Sequence, residues 1–275
     1  MKKNLLILLP DQMRADVLGF MGNPVCQTPH FERLAARSTV FTRHFTTFPK
    51  CVPARASLMT GRYCNTDGWR SVSQVMEEDQ PNLLRSLQDA GYESCVFGKN
   101  HCWHARDWDR LTYTSWCSEM APFLEGRRER VPIDFETAGR KPAHLSEGWE
   151  YVGNGTRHRP DEGFTDQAID FLENRRDPDK PFFLQLNWES PHTVYGVEEP
   201  WFSRYNRDAL PELPCSLPDG APLSLRAQRE IRTGLEDDPG AAREVQATYY
   251  GMISKVDYLC GKILDTLDRL GLWDD

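Results

Sequence analysis

Four short segments carry side chains able to do chemistry together. Cys51 and Arg55 flank Pro53 in Cys51-Val52-Pro53-Ala54-Arg55. A proline at the start of a helix puts Cys51 at the helix N-terminus, where unpaired N–H groups and the helix dipole favour an anion. Arg55 lies four residues on, so it shares a helix face with Cys51. A reactive residue, an anion-friendly helix end and a guanidinium fork therefore meet. The other segments are Asp11-Gln12, Lys99-Asn100-His101 and Glu189-Ser190-Pro191-His192. Each comes just after a run of strand-forming residues. In open α/β sheets, ligands bind outside the carboxyl ends of the strands. Carboxylate, amine and imidazole thus converge on one sheet edge.

The elements that must position these groups can be read from periodicity. Leu5 to Leu9 is a continuous apolar run, as expected of a strand buried on both faces. Thr28-Pro29 reads as a cap and first-turn proline, opening a short helix through Phe31, Leu34 and Ala35. Val40 to Thr47 is β-branched and aromatic, which predicts a strand. Ala54 to Thr60 reads as a helix ending at Gly61. Pro81 opens a helix carrying Leu83, Leu84, Leu87 and Ala90, followed by a strand over Cys95 to Phe97. Phe164 to Arg175 predicts an amphipathic helix and Pro181 to Trp188 a buried strand. Val245, Tyr249, Met252, Val256, Leu259, Ile263, Leu267 and Leu270 recur at helical steps, the clearest helix in the chain. Alternating strands and helices predict an α/β domain with a largely parallel central sheet flanked by helices. Residues 103–160 and 196–240 break the rhythm and are expected to be loop insertions that shape a pocket.

The motifs also carry a resemblance. C-x-P-x-R at Cys51–Arg55, running on as Ala56-Ser57-Leu58-Met59-Thr60-Gly61-Arg62, resembles the hallmark of the type I, formylglycine-dependent sulfatases of the alkaline phosphatase superfamily. The opening from Leu9 to Gly19 is similar to the start of such enzymes. So are Phe97 to His101, Ser190-Pro191-His192 and Tyr249 to Ser254, in the family's order. The resemblance implies an alkaline-phosphatase-like α/β fold, with residues 1–275 as the N-terminal part of its catalytic domain. It implies that a maturation enzyme oxidises Cys51 to formylglycine (3-oxoalanine), whose hydrated aldehyde attacks sulfur and then expels sulfate. Asp11, Gln12 and the residue at Cys51 would be donors to Ca²⁺ or Mg²⁺. Arg55 would stabilise charge beside the metal. Lys99 and His192 would hold sulfate oxygens, one of them assisting the leaving oxygen, and His101 would sit near the formylglycine hydroxyls.

Two departures from the pattern matter. Gln12 stands where many sulfatases carry a second Asp. The family's next strand, with Asp followed by His or Asn, is expected to start where Leu272-Trp273-Asp274-Asp275 ends the sequence, so the chain reads as C-terminally truncated. The implied activity is hydrolysis of a small-molecule sulfate ester, such as a sulfated sugar or aryl sulfate. A phosphonate monoester or phosphodiester hydrolase on the same machinery and an inactive remnant are the alternatives.

Bulk properties narrow the field further. A chain of 275 residues, 39% hydrophobic and 27% charged, has an ordinary soluble globular composition. A net charge of -8 argues against nucleic acid or an anionic membrane as the main partner, but not against a small anion in a local cationic pocket. Lys2, Lys3 and the Leu5–Leu9 run look like the start of a signal peptide, but the run stops at Pro10-Asp11, and no stretch approaches the ~20 apolar residues of a membrane span. The expected location is cytoplasmic, with the eight cysteines as free thiols and the Asn154-Gly155-Thr156 acceptor unused. A soft-metal site at His101-Cys102-Trp103-His104 is disfavoured for want of a second ligand cluster. His30, His44, His144 and His158 read as surface or loop residues.

Overall fold

Strand β5, Phe182–Trp188, is the axis of the molecule, and every one of its residues is buried. In the computed structural model, described for residues 2–72, 74–77, 79–103, 116–118, 151–154, 161–193, 195–212, 217, 219–223, 226 and 239–273, β5 lies between β1 (Leu5–Pro10) and β2 (Glu93–Gly98). A short β3 (Trp116–Ser118) borders β2, and all the pairings are parallel. Because side chains alternate across a strand, the sheet sorts its residues into two cores. Leu6, Leu8, Cys95, Phe97, Phe182, Leu184, Leu186 and Trp188 face one cluster. Ile7, Val96 and Phe183 face the other.

Helices fill both faces. The first cluster takes Phe164 and Ala168 of α4 (Asp161–Asp170) and Val256, Leu259, Ile263, Leu264 and Leu267 of the long helix α5 (Pro239–Leu270). Phe31 and Leu34 of α1 (Pro29–Ala35) join its rim. The second takes Ala56 and Met59 of α2 (Cys51–Thr60) and Leu84 of α3 (Leu83–Asp89), with Trp69 and Met76. Helix α3 is capped by Asn82, whose side chain accepts from Arg85 N at 3.1 Å. Helix α4 begins before Phe164, at Asp161, and runs into a wider turn over Phe171–Arg175.

Helix α5 is more deeply enclosed than its periodicity implies. Residues 246–257 are buried on all sides, including polar ones, and these have partners. Lys255 Nζ meets Glu198 at 2.5 Å. Asp257 accepts from His30 N at 3.2 Å and Phe31 N at 2.8 Å. The carboxylate of α5 therefore caps α1. Thr28 does not do so, because its hydroxyl accepts from Gly19 N instead. His30, expected to be a surface or loop residue, lies in α1 and is half-buried with its ring against Gly261.

Three other expectations change. Strand β1 has apolar contacts on both faces but is only half-buried, since it is an edge strand among the described residues. Val40–Thr47 forms no strand, and Phe41 and Phe45 are 75% and 82% exposed. β-propensity reflects fit to a paired, half-buried surface, and this stretch has no ladder partner among the described residues. The insertions hold structure of their own. β3 and β4 (Tyr151–Asn154) arise within 103–160, and β4 pairs in parallel with β6 (Tyr195–Val197) at the start of the second insertion. No described helix is long and apolar enough to cross a membrane.

Gly98 ends β2 at φ 91°, and a Cβ there would stand 2.0 Å from the carbonyl oxygen of Asn187. Neither a side chain nor the backbone opposite can give way, so Gly98→Ala is expected to destabilise the fold by at least about 3 kcal/mol in urea denaturation. Gly163→Ala, with open space around it inside α4, is expected to be neutral or stabilising by about 0.5–1 kcal/mol. Equal midpoints for the two variants would refute the close approach at Gly98.

Candidate active site

Parallel pairing brings three strand ends level. Pro10 pairs with Trp188 and Gly98 with Asn187, so Asp11, Lys99 and Glu189 leave the sheet side by side. The turn beyond each strand is fixed by hydrogen bonds. After β1, Gln12 takes a left-handed φ of 62°. Its carbonyl accepts from the Tyr249 hydroxyl at 2.8 Å, and the same hydroxyl accepts from Arg14 N at 3.0 Å. After β2, Lys99 N donates to Asn187 O at 3.0 Å. Asn100 Oδ1 accepts from Cys102 N at 2.9 Å, and His101 between them takes φ 55°. After β5, the Asp161 carboxylate accepts from Glu189 N at 2.7 Å and Ser190 N at 3.0 Å. His192 N then donates to Glu189 O at 3.0 Å.

The charged groups meet in the space between these turns. Asp11 Oδ2 lies 2.6 Å from Lys99 Nζ and 3.4 Å from Arg55 Nη2. Arg55 Nη1 also donates to the Lys99 carbonyl at 3.0 Å. All three side chains are buried, Lys99 at 3% exposure. Burial would raise the Asp11 carboxyl, but Lys99 and Arg55, with His192 nearby, outweigh it and hold it below the usual carboxylate range. Burial, then the charges of Lys99 and Arg55, push His101 down to about 4. His101 is therefore neutral at neutral pH, and its buried Nδ1 has no hydrogen-bond partner among the described residues. Among the described residues one carboxylate faces two cations, a local excess of positive charge that an anion would balance.

The structure brings together most of the residues singled out from sequence. Asp11, Arg55, Lys99, His101 and His192 form one electrostatic cluster. Cys51 is the first residue of α2, a half-buried free thiol one helical turn before Arg55. The helix starts earlier than Pro53, with Lys50 as its N-cap. Gln12 adjoins Asp11, but its side chain is exposed. His192 Nδ1 is bonded to the Thr193 carbonyl, an acceptor only, so Nδ1 carries the proton and Nε2 is the ring atom left for chemistry.

A hard divalent cation fits this donor set poorly on its own. Ca²⁺ takes about six to eight oxygens, whereas the described residues offer one carboxylate already engaged by two cations. No group of three or more His, Cys, Asp or Glu suited to a metal occurs among the described residues. His104 lies outside them, so the His101-Cys102-Trp103-His104 reading is not placed.

Tyr249, Asn100 and Asp161 position the site without having been singled out as site residues. Tyr249 and Asp161 reach their turns from α5 and α4, far away in sequence. Asn100 stands within the Phe97–His101 motif, and its signal is an amide between two candidate residues, a type that often bonds its own loop.

Comparisons with known proteins bear on the family and the fold. A model of the sulfatase family matches residues 3–275. The chain is 29% identical to a multifunctional alkaline phosphatase superfamily protein of Trinickia caryophylli over 100% of this chain and 61% of that protein. It is 26% identical to an arylsulfatase of Clostridium perfringens over 98% of this chain and 60% of that protein. Among solved structures, the phosphonate monoester hydrolase of Agrobacterium radiobacter superposes with a TM-score of 0.69 at 23% identity, covering 100% of this chain and 61% of the other. The fold is thus alkaline-phosphatase-like, and the chain spans about 60% of the length of these relatives. With the family's model matched from residue 3 to residue 275, the chain belongs to the sulfatase family.

Proposed function

We propose that this site hydrolyses sulfate esters with residue 51 as the nucleophile after conversion of Cys51 to formylglycine by a maturation enzyme. The observation that carries the reading is the buried pair of cations, Lys99 and Arg55, on the carboxylate of Asp11. A sulfuryl group would supply the missing negative charge, and its oxygens would take hydrogen bonds from Lys99 Nζ and from His192 Nε2. A protonated His192 would give its Nε2 proton to the leaving oxygen. His101, neutral and buried, would accept a hydrogen bond from a hydroxyl on residue 51 without adding a like charge beside Lys99 and Arg55. The hydrated aldehyde at 51, when present, would supply that hydroxyl.

Asp11, Gln12 and residue 51 would be this part's donors to a Ca²⁺ or Mg²⁺ ion. They are too few to hold it, so further donors would have to come from outside the described residues. The substrate class would be a small sulfate ester, such as a sulfated sugar or an aryl sulfate. The relative named N-acetylgalactosamine-6-sulfatase, 28% identical over 94% of this chain, favours the sugar. A second reading is hydrolysis of phosphonate monoesters or phosphodiesters. The relative of Trinickia caryophylli, matched along 100% of this chain, is named multifunctional, which is compatible with more than one ester class.

Three outcomes are expected. Peptide mass spectrometry of the segment around Cys51, from cells that carry the maturation enzyme, shows a loss of about 18 Da, the exchange of a thiol side chain for an aldehyde. Unmodified cysteine under those conditions removes the proposed nucleophile. Turnover of aryl sulfate exceeds that of the matching aryl phosphonate ester; the reverse preference selects the second reading. His101 titrates near 4 by NMR instead of near its usual 6.5. Because the unfolded chain then binds the extra proton first, stability falls as pH drops from about 6.5 toward about 4. His101→Gln should flatten that part of the stability curve, and an unchanged slope would show that His101 is not held neutral.

A further inference from the structure

We propose that Asp161 is a positioning residue for His192: its carboxylate fixes the turn that presents the ring's Nε2 to the leaving oxygen. The inference rests on the role given to His192 above. Asp161 is the first residue of α4 and is 1% exposed. Among the described residues no cation is paired with it. Instead its two oxygens take the N–H groups of two consecutive residues, Oδ1 from Glu189 at 2.7 Å and Oδ2 from Ser190 at 3.0 Å. Bonds from N–H to an ionised carboxylate are about twice as strong as neutral ones, and a pair of them fixes direction as well as distance.

The anchor is itself held from behind. Thr165 Oγ1 donates to the Asp161 carbonyl at 2.7 Å and accepts from Trp188 Nε1 at 2.9 Å. Trp188 is the last residue of β5 and is fully buried. Strand end and helix start are thus joined at two levels, through Thr165 and through Asp161. Downstream the turn closes by His192 N to Glu189 O, and the ring is fixed by Nδ1 on the Thr193 carbonyl. Between the last strand residue and the imidazole, the side chain of Asp161 grips the turn at its start. Loss of that grip would let the 189–193 backbone shift, and a shift of about 1 Å in a catalytic group can cost ~100-fold in rate.

The test uses the holoenzyme and two readouts. In Asp161→Asn, one acceptor oxygen becomes an NH₂ facing a backbone N–H. Its kcat toward an aryl sulfate is expected to fall about 10–100-fold, with KM changing less than about threefold. The His192 Nδ1–H resonance should move. Combined with His192→Gln, Asp161→Asn should add no further loss, because both changes act through one ring. Multiplying losses, or an unmoved His192 resonance, would overturn the proposal. If Asp161→Asn fails to fold, Thr165→Val keeps the shape and removes the rear tie. The same non-additivity with His192→Gln is expected, and additive losses again refute it. A silent His192→Gln overturns instead the role given to His192, and with it any part of Asp161 in the reaction. The resonance then still reports whether Asp161 sets the ring.

Discussion

Asp11 Oδ2 takes two cations at once, Lys99 Nζ at 2.6 Å and Arg55 Nη2 at 3.4 Å. The three side chains come from the end of β1, the second turn of α2 and the end of β2. All are buried, so none of their charges is met by bulk water. Removing one partner from such an arrangement typically costs about 3–5 kcal/mol, since it strands the other charge in the interior. The three segments are therefore bound to one another electrostatically as well as by the sheet. The bond from Arg55 to the Lys99 carbonyl adds a link through the backbone. Among the described residues the cluster thus carries more positive than negative charge.

The sheet decides where this cluster can form, and distant helices decide its detail. Parallel register brings the ends of β1, β2 and β5 to a common level. It does not orient the turns beyond those ends. That is done by Tyr249 from α5 on the turn at Gln12, by Asn100 within its own loop, and by Asp161 from α4 on the turn before His192. Each of these groups satisfies backbone donors or acceptors that a buried turn would otherwise leave unpaired. The same bonds that make the turns tolerable in the interior also hold the reactive side chains in place.

This division explains how far the residues alone could be read. Asp11, Lys99 and His192 were legible because each comes after a segment that reads as a strand, and Arg55 because its spacing from Cys51 is helical. Those are local signals. Tyr249 acts on a carbonyl 237 residues away, and nothing in its neighbourhood announces that contact. Its helix could be read, but not the turn it serves. The strand expected over Val40–Thr47 failed for the converse reason. Its residues suit a sheet, but a strand also needs a partner, and partners are not a local property. The positive φ at Gln12 and His101 could not be foreseen either, since both are residues for which that conformation is uncommon.

The cap that Asp257 places on α1 has a consequence for how the chain acquires its shape. Helix α1 has 7 residues, and an isolated helix that short is not stable in water. Its capping carboxylate lies 227 residues further along. During synthesis, at about 5–20 residues per second, the segment around His30 is exposed for many seconds before Asp257 exists. Strand β1 waits almost as long for β5, its described partner. Helix α1 and strand β1 are thus made early and completed only after α5 and β5 have followed. Their apolar side chains, Phe31 and Leu34 among them, spend that interval without the surfaces they finally cover.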